Sequence, residues 1–141
     1  MKRTLILAFA IFALIAVSLG YRAYYPSKIA ETGRTGNPIV SVSVPVLSAA
    51  DQEGEGLFNA KCATCHGKDA AGQEGVAPPL VHVIYEPNHH ADQSFQRAAK
   101  LGVRQHHWPF GNMPPVENIT AVDVQKIIAY VRALQKENGI F

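Results

Sequence analysis

The chain has 141 residues, of which 48% are hydrophobic and 17% charged, with two cysteines, six histidines and a formal net charge of +2. This length holds one small domain plus, at most, a targeting segment. Residues 1–50 carry five basic side chains against Glu31, a net of +4, while residues 51–141 carry eight basic and ten acidic side chains, a net of −2; the basic surplus belongs to the N-terminal arm, which speaks against nucleic-acid binding, since that needs a basic patch on the folded domain.

Met1-Lys2-Arg3 is a short basic start, and the 17 residues from Thr4 to Gly20 carry no charge. The run is slightly long for a signal-peptide core and at the short limit for a membrane span. Tyr21, Tyr24 and Tyr25 follow where an interfacial aromatic belt would sit, and Arg22 and Lys28 are placed to snorkel to head groups. Residues 1–25 therefore read as a signal anchor, a hydrophobic helix holding the chain to the cytoplasmic membrane. Small residues at cleavage spacing in Ala16-Val17-Ser18 and Ser18-Leu19-Gly20 keep a cleaved signal peptide, and a soluble periplasmic product, as the alternative. Either reading exports the remainder.

Residues 26–47 contain Gly33, Gly36, Pro38 and Pro45 and read as an extended tether. A flexible coil of about 20 residues has a root-mean-square reach of roughly 25 Å. The alternation Ile39-Val40-Ser41-Val42-Ser43-Val44 is the competing signal, for a short edge strand packed on the domain.

From residue 48 to 141 the pattern is helical. Ser48-x-x-Asp51 has the form of a capping box, and the helix it starts should run into Cys62-Ala63-Thr64-Cys65-His66. C-x-x-C-H is the attachment signature of a c-type haem: two thiols on one helical face can add to the two vinyl groups of the porphyrin, and His66 can reach the iron. The competing readings are a redox-active C-x-x-C and half of a zinc site. Zinc would need two further ligands, these are the only cysteines, and no βαβ pattern of the thioredoxin type surrounds them. A folded part of about 90 residues buries only about 60 to 65% of its surface. The haem would complete the core, and the haem-free chain is expected to be largely disordered.

A further helix is expected after Asp92, with Phe95, Ala98 and Ala99 on its inner face and Gly102 as its stop. Between it and the last helix lies Gly111-Asn112-Met113-Pro114-Pro115, where the prolines stiffen the loop that carries Met113. A methionine alone is most often a core filler. Following C-x-x-C-H and preceding an amphipathic helix, its thioether is the candidate second iron ligand. The last helix is capped by Thr120-x-x-Asp123, stapled by Ile119 and Val124, and repeats Val124, Ile127, Ile128, Val131 and Leu134 up to Asn138-Gly139.

With these motifs in place the chain resembles class I cytochromes c over about residues 49–137. Gly54 and Phe58, ahead of Cys62, look like the family's N-terminal helix positions, and Ile127 and Tyr130 like their partners on the C-terminal helix. Pro78, twelve residues after His66, matches the proline whose carbonyl accepts a hydrogen bond from the haem-ligating histidine; by itself Ala77-Pro78-Pro79 is an ordinary turn. The resemblance implies an all-α cytochrome c fold of three to four helices around one haem c bound covalently through Cys62 and Cys65, preceded by the N-terminal hydrophobic helix. It implies His66 and Met113 as axial ligands, with Pro78 among the cofactor-binding residues. It further implies a one-electron carrier rather than an enzyme, placed on the periplasmic side. Its donor would be a quinol-oxidising complex or dehydrogenase, and its acceptor an oxidase or reductase. A gas sensor or catalytic cytochrome with a displaceable Met113, and a haem subunit of a larger oxidoreductase, remain as alternatives.

His82, His89, His90, His106 and His107 exceed what that pattern requires. Each is a rival for the sixth iron position, and with Tyr85, Arg104 and Trp108 a candidate partner for a haem propionate. His89-His90 alone is an incomplete set of metal ligands.

Overall fold

The computed structural model describes residues 36–141, together with Val17; the segments expected as the anchor, residues 1–25, and as the first part of the tether, residues 26–35, otherwise lie outside the described residues. Among the described residues there are four α-helices, α1 (Ala49–Lys61), α2 (Ala63–His66), α3 (Asp92–Leu101) and α4 (Ala121–Glu137), with 3-10 turns at Lys68–Ala70 and Val83–Tyr85 and no strand. Within that same set no helix is long and apolar enough to cross a membrane.

Both expected capping boxes form. The Ser48 hydroxyl accepts from the Asp51 amide, and Asp51 returns a bond to the Ser48 amide; Thr120 and Asp123 repeat the arrangement at α4. Apolar periodicity turns α4 inward, burying Val124, Ile127, Ile128, Tyr130, Val131 and Leu134. α1 crosses it at Gly54, where a side chain would collide with the Lys126 carbonyl. The close approach lets Phe58 and Tyr130 pack with ring centroids 5.6 Å apart, both fully buried. α3 adds Ala99 and Phe95 to the other side of α4, against Val124 and Ile128.

The first helix runs into the cysteine motif as expected, and the backbone breaks at Cys62 (φ −122°, ψ −34°) before the single turn of α2. The expected tether needs amending. Residues 36–47 are extended, but along the part that is described they are held to the domain rather than hanging free. The amides of Ile39 and Val40 both donate to the Ala71 carbonyl, Ser43 and Asn138 exchange two hydrogen bonds, and Val42 and Leu47 pack on the core. They pair with loops and a helix end, which offer no ladder, so the Val-Ser alternation produces no edge strand.

Candidate functional site

Gln73 organises the cysteine motif. Its side chain is buried, and the amide nitrogen donates to the carbonyls of Ala63, Thr64 and Cys65 at 3.1, 2.8 and 3.1 Å, while the amide oxygen accepts from Gly36 at 3.0 Å. A one-turn helix leaves all its last carbonyls without intrahelical partners. The Ala63 carbonyl also accepts from the Gly67 amide, whereas Gln73 is the partner of the Thr64 and Cys65 carbonyls and so fixes the turn that carries His66. Nothing in the sequence marks this residue, since an isolated glutamine in a glycine-rich loop has no periodicity.

His66 is buried, and its Nδ1 lies 2.8 Å from the Pro78 carbonyl. A carbonyl only accepts, so Nδ1 carries the proton and Nε2 keeps its lone pair for a metal. Burial pushes the imidazole below its ordinary pKa, partly offset by that hydrogen bond. Burial also pushes the Cys62 thiol up to about 11, reinforced by Cys65, which is itself exposed.

Met113 is placed by its backbone. It exchanges two hydrogen bonds with Val103, 2.9 and 3.0 Å, and the strand-like pair is possible because Gly102 ends α3 at φ +74°. A Cβ at Gly102 would stand 2.5 Å from the Met113 carbonyl oxygen, so only glycine lets the two segments meet. The amide of Val116 then bonds to the Ala99 carbonyl and closes the loop on α3.

Cys62, Cys65, His66, Pro78 and Met113 all border one cavity of about 740 Å³. Trp108 lines it too, and the indole Nε1 is buried without a hydrogen-bond partner, a costly arrangement for a donor unless a bound group satisfies it. Trp108 stacks on Phe110 and meets His82 in a T-shaped contact, ring centroids 5.2 Å apart. The hydroxyl of Tyr85, which borders the same cavity, is pushed up to about 12 by burial. Two thiols at attachment spacing, an imidazole with a free Nε2, a thioether and an unsatisfied donor around one apolar cavity fit a haem.

The other histidines divide. His82 caps the Val83–Tyr85 turn through its Nδ1, 3.2 Å from the Ile84 amide, and does not border the cavity. His89, His90, His106 and His107 border it as a group. Arg132 holds that region from α4. Its guanidinium donates to the carbonyls of Tyr85 and His90 at 2.7 and 2.6 Å and to Asp92, and it lies over the Phe95 ring. Gln135, fully buried, adds bonds to the carbonyls of Leu80 and Tyr85.

Residues 52–135 match the family model described as Cytochrome c. No curated protein and no solved structure matched the chain at the significance required.

Proposed function

Because the chain belongs to the cytochrome c family, as a class I c-type cytochrome with covalent haem c and Cys62 and Cys65 at attachment spacing, we propose that this haem-based electron carrier uses His66 and Met113 as its two axial ligands. When bound, the haem supplies a ferric/ferrous one-electron couple, with a potential raised by methionine ligation relative to two histidines. The observation that carries the reading is that His66, with Nδ1 engaged by Pro78 and Nε2 free, borders the same cavity as Met113. Gln73 and the Val103 pairing keep the two ligand-bearing segments in register, so that a change of oxidation state demands little rearrangement. With both axial positions filled by the chain there is no place for a substrate, and the role is relay rather than catalysis.

The partners are redox proteins: a quinol-oxidising complex or dehydrogenase as donor and an oxidase or reductase as acceptor. Val76 is exposed and Phe110 half-buried where they border the cavity, Pro115 is exposed two residues after Met113, and the net charge of −2 over residues 51–141 argues for an apolar, short-lived contact rather than a basic docking face. The N-terminal hydrophobic segment, read from sequence as a signal anchor, would hold the haem domain at the periplasmic face of the membrane and confine its search for these partners. Carbon monoxide mixing with the ferrous protein at neutral pH tests the relay. Negligible rapid binding is expected; fast, stoichiometric binding would instead favour a sensor or catalytic cytochrome.

A further inference from the structure

Four imidazoles gather where the chain has no evident structural need for them. His89 and His90 end the turn after the Val83–Tyr85 element, their amides both donating to the Glu86 carbonyl, while His106 and His107 come from the loop before Trp108. The ring centroids of His106 and His107 are 4.3 Å apart, those of His89 and His107 5.4 Å, and those of His90 and His107 5.3 Å. Among the described residues none of the four is paired with a carboxylate side chain. A gathering of imidazole nitrogens suits a transition metal.

We propose that His89, His90 and His107 form a binding site for a divalent transition metal, taking Cu2+ more tightly than Zn2+. One ligand nitrogen from each lies within 4.8 Å of the other two. Metal–nitrogen bonds of about 2.0 to 2.1 Å at tetrahedral angles need nitrogens about 3.4 Å apart. His89 and His107 are exposed side chains that can close this gap by small rotations, while His90 is the fixed point. Its Nδ1 sits 2.6 Å from the Ile84 carbonyl, which leaves the proton on Nδ1 and the lone pair on Nε2, and Arg132 anchors its own carbonyl. A carbonyl that orients a ligating imidazole in this way is the usual outer support of a metal site. His106, its Nδ1 held 2.8 Å from the Arg104 carbonyl, stacks beside His90 at the edge of the set. Three neutral imidazoles without thiolate or carboxylate are borderline donors, selecting copper, zinc or nickel over calcium or magnesium, with copper(II) at the top of the affinity order. A fourth coordination position stays available to water or a ligand in the cavity.

Zn2+, which is redox-silent, is titrated calorimetrically into the ferric, haem-loaded full chain and into the double variant His89→Ala, His107→Ala, with visible spectra of both. One site per chain is expected in the parent and a loss of affinity of about a hundredfold or more in the variant, with unchanged haem spectra. Unchanged Zn2+ affinity in the variant, or several weak equivalents that survive the substitutions, would overturn the site in favour of scattered surface imidazoles. An altered haem spectrum in the variant would overturn it differently, by placing one of these imidazoles on the iron. Zinc stoichiometry does not depend on the identity of the second axial ligand, so failure of this site and failure of His66/Met113 ligation are read separately.

Discussion

Replacing Gly54 by alanine tests the helix crossing on which the haem-bearing motif is built. In an open helical position the change should help, since alanine is favoured over glycine by about 0.8 to 1.0 kcal/mol. Here the new methyl would meet the Lys126 carbonyl and stand 2.9 Å from Tyr130 Cβ. A backbone carbonyl cannot swing aside as a side-chain tip can, so α1 and α4 must separate and loosen the Phe58–Tyr130 contact. Overpacking of this kind costs about 1 to 3 kcal/mol, and a clash with backbone belongs at the upper end. The net prediction is a loss of about 2 kcal/mol and, for a domain of roughly 100 residues, a fall in Tm of about 8 to 16 °C. Gly56 is the internal control: it lies in the same helix, and a Cβ there meets nothing within 4 Å, so Gly56→Ala should stabilise by up to about 1 kcal/mol. Urea and thermal unfolding of the haem-loaded proteins give both values. If the two variants shift stability in the same direction by similar amounts, the close crossing does not constrain the fold and the reasoning fails.

Gln73→Ala strips the partners from the Thr64 and Cys65 carbonyls and from the Gly36 amide, while Ala63 keeps the Gly67 amide, and should cost about 2 to 4 kcal/mol by urea titration of the haem-loaded protein; a loss below about 0.5 kcal/mol would show the turn to be held by other means. The haem-free chain is expected to be largely disordered, leaving the thiols of Cys62 and Cys65 to alkylate at equal rates at pH 8. The folded environment raises Cys62 to about 11, so in a folded haem-free chain its thiolate would be scarce until the pH approached that value; slow, steeply pH-dependent alkylation of Cys62 would therefore show that the fold forms without haem. Arg132→Ala removes the bonds to the carbonyls of Tyr85 and His90 and should weaken Zn2+ binding about tenfold without changing the haem spectrum, which parallel calorimetry and spectroscopy would check.

The parts of the fold that could be read from sequence are those with a period or a fixed offset. The Ser48–Asp51 and Thr120–Asp123 boxes, the inward face of α4 and the Gly102 stop rest on local chemistry and appear in the structure where they were expected. The His66–Pro78 contact was legible because a twelve-residue offset matched a known family. Contacts without a local signature could not be read: Gln73 and Gln135 are single polar residues whose partners are backbone carbonyls from 8 to 10 and 50 to 55 residues away. The docking of residues 36–47 was obscured because its hydrogen bonds go to a loop and to Asn138, neither of which imposes a strand period. The histidine set shows the same limit. His89-His90 looks incomplete in sequence, and only folding brings His107 beside it.

The optical spectrum of the ferric, haem-loaded protein is the most direct test of the ligation, because bonding of methionine sulfur to ferric iron gives a weak long-wavelength charge-transfer band. The band should be present in the parent protein and abolished in Met113→Ala, since Met1 is the only other methionine in the chain. A low-spin spectrum without the band would contradict His66/Met113 ligation and put a histidine in the sixth position, and a high-spin spectrum would contradict it by leaving that position open.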